Sequence, residues 1–121
     1  MNVVKHEVNG TQVAEMQSNG IIMRSARDAA DIIKQLLQVG VNKLILHEKN
    51  LSPELWQVSN GLAETVLKEF DKSGVAVAFV GEFDLHKDKS LQALIHESNL
   101  GNKAFFTSNA ECAKVRLSGS K

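Results

Sequence analysis

Charge of one sign, cysteine, proline and long apolar runs are all scarce in this 121-residue chain, and each scarcity removes a class of function. Lysine plus arginine number 14 and aspartate plus glutamate also number 14. Neither sign gathers into a block, so the sequence carries no electrostatic footprint for nucleic acid or an anionic membrane. One cysteine, Cys112, cannot build an internal disulfide framework and fits a reducing compartment. No apolar run approaches the roughly 20 residues that span a bilayer. The opening Met1-Asn2-Val3-Val4-Lys5-His6-Glu7 lacks the basic then apolar layout of a secretion signal. A cytoplasmic protein is expected, with neither nucleic acid nor membrane as partner. Also missing are a Gly-x-Ser-x-Gly elbow, a glycine-rich phosphate loop and a dinucleotide fingerprint. No cofactor and no catalytic residue are therefore assigned.

What is present reads as one α/β domain over residues 1–117, with a frayed tail at 118–121. Val3 to Val8 and Thr11 to Met16 have strand character and are joined at Asn9-Gly10, the pair that supplies positive φ in a tight hairpin. After a turn at Ser18-Asn19-Gly20 and an extended Ile21 to Met23, Ser25 with Asp28 has capping-box spacing. The helix that follows runs to about Val39, with Ala26, Ala29, Ala30, Ile33, Leu36 and Leu37 on its apolar face and Gly40 closing it. Leu44-Ile45-Leu46 and Val75 to Val80 are apolar without alternation, as in strands covered on both faces. A helix near Lys89 to Asn99, a strand near Lys103 to Thr107 and a helix from about Asn109, with Ser108 and Glu111 at capping-box spacing, complete the order. Strands alternating with helices imply a mixed, mainly parallel sheet extended by the antiparallel N-terminal hairpin, with helices packed on it.

The segment Leu51 to Leu67 contains a fault. Ser52-Pro53-Glu54 opens a helix, yet Ser59-Asn60-Gly61 follows within two turns, and asparagine and glycine there are unfavourable by roughly 0.6 and 1 kcal/mol relative to alanine. Two geometries are open. One helix continues, because Leu55, Val58, Leu62, Val66 and Phe70 stay in register; this is the expectation from burial. Otherwise a short turn ends and Ser59 or Asn60 caps a new helix whose free amides, at Gly61 and Leu62, suit an anion.

The group Val58-Ser59-Asn60-Gly61-Leu62, placed after the third strand, resembles the Asp-Ser-Ser-Gly-Leu of STAS-type domains found in anti-sigma-factor antagonists and sulphate transporters. That resemblance implies a STAS-like order of elements and a face that binds a protein partner. The serine phosphorylated in such domains falls on Asn60, so the phosphate switch does not carry over. A second resemblance spans Val13 to about Cys112. Glu48-Lys49-Asn50-Leu51, Pro53-Glu54, Gly81-Glu82-Phe83, Lys89-Ser90-Leu91, Glu97-Ser98-Asn99 and Phe105-Phe106 together are similar to a small bacterial family catalogued only as a domain of unknown function. It implies bacterial origin and no activity.

Two sets of site residues follow. In open α/β sheets ligands bind beyond the carboxyl ends of the strands, which selects His47, Glu48, Glu82, Asp84 and His86. Such loops are also polar because they are wet, and Asp84-Leu85-His86 matches no metal spacing, so no metal is assigned. The other set is an interaction or anion-binding face at Trp56, Ser59, Asn60 and Gly61, beside the loop from Glu82 to Lys87. Trp56 there is either a contact anchor or a core residue, and the core is the expectation. Cys112, between apolar neighbours, reads as an inert core residue, and His96 and Glu97 as the wet side of a helix. His6 has no partner that the sequence names. The favoured function is a non-catalytic regulatory protein-binding module, with homodimerisation open. A ligand or metal sensor or enzyme using the strand-end carboxylates is the alternative.

Overall fold

The computed structural model describes residues 2–57, 60–83, 88–101 and 103–119, with Asn2 by its backbone alone. Five strands form one sheet in the order β1-β2-β3-β4-β5: β1 Asn2–Val8, β2 Thr11–Gln17, β3 Lys43–His47, β4 Ala76–Val80 and β5 Ala104–Thr107. β1 and β2 pair antiparallel and every later pair is parallel. The hairpin turns at Asn9-Gly10, where both residues have positive φ. The chain is a single small α/β domain with the expected mixed sheet.

Because strand order follows chain order, right-handed crossovers carry every connecting helix to the same face. α1 (Ala26–Gln38), α2 (Leu62–Ser73) and α3 (Lys89–Leu100) accordingly share one core with Ala14, Met16, Leu44, Leu46, Val77, Phe79, Ala104 and Phe106, the side chains that point to that face. α4 (Ala110–Ser118) follows the last strand and crosses to the other face, where Ala113 and Leu117 pack on Val13, Ile45, Ala78, Val80 and Phe105. It runs one residue into the expected tail, and residues 120 and 121 lie outside those described.

Several local expectations are corrected. The helix does not run through the fault. Pro53–Trp56 is a single 3₁₀ turn with the Ser52 hydroxyl accepting from Glu54 N, and α2 begins only at Leu62 after Gly61 at φ 73°. A left-handed residue cannot sit inside a right-handed helix, so the glycine ends one element and starts the next. Val58 and Ser59 lie outside the described residues. The side chain capping α4 is Asn109, accepting from Cys112 N, rather than Ser108. At α1 Ser25 holds the cap position without a side-chain bond, and Asp28 accepts instead from Arg24 N. α1 buries Ile32 where Leu37 was expected, leaving Leu37 exposed. Cys112 is exposed rather than core: α4 buries Ala113 and Leu117, four residues apart, and Cys112 falls about 100° from Ala113 and about 140° from Leu117.

Candidate functional site: a carboxylate between two histidines

Glu15 lies in the carboxyl-terminal half of β2, one strand in from the β1 edge, and is only 8% exposed. Its two carboxylate oxygens go to different rings. His6 Nε2 lies 2.7 Å from Oε1, and His47 Nε2 lies 2.5 Å from Oε2. An ionised carboxylate only accepts, so each ring carries a proton on Nε2 and donates it.

Three strands build this cluster. The hairpin register sets His6 opposite Val13 and Val4 opposite Glu15, making His6 and Glu15 diagonal neighbours on the α4 side of the sheet. The parallel register sets Glu15 opposite Ile45, and His47 follows two residues later on that same side, opposite Val80 of β4. Burial pushes the Glu15 carboxyl pKa up. The hydrogen bonds from His47 and His6, with the attraction of both rings, outweigh it and hold the group below the usual glutamate value.

Chemically, the cluster is two carboxylate–imidazole pairs sharing one acid. The carboxylate fixes ring orientation and tautomer, as it does for histidines that ligate metals or transfer protons. Among the described residues no group of three His, Cys, Asp or Glu side chains is arranged to hold a metal ion. Sequence reasoning missed Glu15 and singled out His47 for a different surface. The hairpin register, legible from Asn9-Gly10, was the signal that could have paired His6 with Glu15.

The remaining strand-end residues do not converge. Glu48, at the start of a 3₁₀ turn over Glu48–Asn50, accepts from Glu82 N through Oε1 at 3.2 Å and so ties the loop after β3 to the loop after β4. Gly81 makes room for it, since a Cβ there would come within 2.6 Å of Glu48 Cβ and Oε1. Glu82 is exposed, and Asp84 and His86 lie outside the described residues. Beyond β4 and β5 is an open cleft of about 230 Å³ lined, among the described residues, by Gly81, Phe83, Gln92, Ile95, Phe106, Thr107 and Ser108.

Asn50, absent from both expected sets, is fully buried. Its Nδ2 donates to Ser18 O at 2.8 Å and Gly20 O at 2.9 Å, while its backbone carbonyl accepts from Ile22 N and Met23 N. It therefore fixes the path from β2 into α1.

Of the second expected face, Trp56 is interior and Asn60 exposed. Trp56, 7% exposed, makes edge-to-face contacts with Phe79, Phe83 and Phe106 at 5.1 to 6.0 Å between centroids, so it is a core residue. Asn60 is exposed, but both ends of its amide are engaged in its own loop, Nδ2 donating to Glu54 O and Oδ1 accepting from Leu62 N. Gly61 leads into α2, and Ser59 lies outside the described residues.

No helix among the described residues is long and apolar enough to cross a membrane. No curated protein and no solved structure matches the chain. One family does: its model covers residues 8–117, the hairpin turn through α4, and the chain belongs to that family, described as a domain of unknown function (DUF4180).

Proposed function

We propose that this chain is a non-catalytic, regulatory protein-binding module of the bacterial cytoplasm, and that it binds through the sheet edge formed by β1 and the adjoining α1. One observation carries the reading. β1 is an edge strand of seven residues, and beside it a mainly apolar groove of about 220 Å³ opens between Val3, Met16, Ile32, Leu36 and Val39, with Lys5 and Gln35 also in its lining. Val3 is 46% exposed and Val39 56%. Exposed apolar side chains beside an unpaired edge are what strand-adding partners use. The resemblance of Val58-Ser59-Asn60-Gly61-Leu62 to the matching group of STAS-type domains supports protein binding as well.

The test is a photo-crosslinking residue placed at Val3 and, separately, at Ser108 in the cleft beyond β5, in living cells. Protein adducts at Val3 and none at Ser108 are expected. Adducts at neither position would overturn the reading.

A second reading, a small-ligand sensor or enzyme, is favoured by the Glu15 cluster alone, since it lies at the carboxyl ends of β2 and β3. A thermal-shift screen against divalent metals, nucleotides, phosphate and common metabolites tests it, because a ligand of the folded state raises its melting temperature. A saturable rise lost in Glu15→Gln would move the assignment to this reading. No rise from any of them would remove it.

A further inference from the structure

We infer that the partner of this edge is a second copy of the chain, joined by antiparallel pairing of β1 with β1 in a register centred on His6. The inference rests on the protein-binding reading above. Asn9 and Gly10, at φ 52° and 80°, make a two-residue turn of the kind whose flanking residues, here Val8 and Thr11, form a doubly hydrogen-bonded pair. Alternation along the ladder then directs the backbone groups of Val4, His6 and Val8 inward to β2. Those of Val3, Lys5 and Glu7 face outward. β1 pairs with β2 one for one from Asn2 to Val8, without a bulge or proline, two of the devices that blunt an edge.

Charge selects the register. A two-fold axis normal to the sheet keeps each face continuous, and three registers then pair at least five residues of each β1, centred on Val4, Lys5 or His6. Centring on Lys5 sets that lysine against its own copy and Val3 against Glu7. Centring on Val4 sets Val3 against Lys5 and His6 against Asn2. Centring on His6 sets Lys5 against Glu7 of the second copy on both sides of the axis, and Val4 against Val8 twice. Opposite charges and apolar pairs directly across strands stabilise a sheet, and like charges facing each other destabilise it. The sequence of β1 is thus self-complementary in that register alone. Lysine on an edge strand ordinarily guards against pairing; here Glu7, two residues on, complements it. His6, already bonded to Glu15, would meet its own copy on the axis.

Sedimentation equilibrium of the whole chain, with Lys5→Glu and Glu7→Lys variants, tests this. Wild type is expected to dimerise, and each variant alone to self-associate on the order of tenfold or more weakly. An equimolar mixture of the two variants is expected to regain association, because each new charge then faces its opposite. In a Cys112→Ser background, His6→Cys is expected to oxidise to a disulfide-linked dimer, since residues on the axis at a non-hydrogen-bonded site lie about 4.5 Å apart between Cα atoms. Lys5→Cys is expected not to. A wild-type chain monomeric at every concentration, failure of the mixture to associate, or crosslinking through Lys5→Cys in place of His6→Cys would each overturn the inference. A monomer that still gives adducts at Val3 with a different protein defeats the self-pairing and leaves the binding reading intact; a monomer with no adducts defeats both.

Discussion

The two faces of the sheet are built from the same strands, yet they differ in what covers them and in what they hold. One face lies under three helices and carries Trp56, Phe70, Phe79, Phe83 and Phe106 in a single aromatic cluster, with Phe79 and Phe106 stacked at 4.9 Å. The other lies under α4 alone, nine residues long, and holds both buried charged residues among those described, Glu15 and Lys43. Lys43 sits opposite Ala76 on that side, its pKa lowered by burial and then by Lys103. Charged groups are tolerated where a short helix leaves room for water or paired side chains, and are kept out where three helices close the surface. On this comparison, stability resides on the three-helix face and pH response on the other.

The sharpest way to break that division is Trp56→Ala. Truncating a buried tryptophan among three phenylalanine rings is expected to cost about 3–5 kcal/mol, read as the shift in a urea or thermal unfolding midpoint. A loss below about 1 kcal/mol would mean that the aromatic cluster is not where the fold is held.

Glu15 tests the opposite face. Its pKa is lowered on folding, so the stabilisation it brings is present above the ordinary glutamate value, about pH 4.5, and is lost as pH falls through the lower folded value. Glu15→Ala leaves two imidazole donors without their acceptor, at a cost of about 1–3 kcal/mol near neutrality. Glu15→Gln keeps an acceptor for one ring and removes the charge, so its unfolding free energy is expected to fall less than that of wild type between neutral pH and pH 3. Equal pH profiles for wild type and Glu15→Gln would dissociate the cluster from any pH response.

The same comparison explains what the sequence did and did not reveal. Element order was legible because each signal is local: Asn9-Gly10 for the hairpin, Gly40 after α1, unbroken apolar runs at β3 and β4 for doubly covered strands. Glu15 was not, because within Thr11–Gln17 a lone acid reads as a solvent-facing position of an alternating strand, and His47 reaches it only through the β2–β3 register, 32 residues away. Cys112 was misplaced by one helical position, which rotates a side chain by about 100°. At Gly61 the sequence leaves two geometries open, with burial favouring the continuous helix, and the structure has the break. An apolar face in register was weighed against two poor helix formers, whereas the deciding term was backbone conformation, with Asn60 bonding across the gap and Gly61 in the left-handed region.

That term can be measured directly. Gly61→Ala puts a Cβ where nothing among the described residues lies within 4 Å, so its cost is expected from the backbone. A non-glycine residue at φ 73° is strained by about 1–2 kcal/mol. A continuous helix would predict the reverse sign, because alanine exceeds glycine by roughly 1 kcal/mol in a helix interior. The two geometries thus differ by about 2–3 kcal/mol in the effect of one methyl group. Destabilisation supports the break seen here, and a gain in stability would restore the single helix and close the gap between Trp56 and α2.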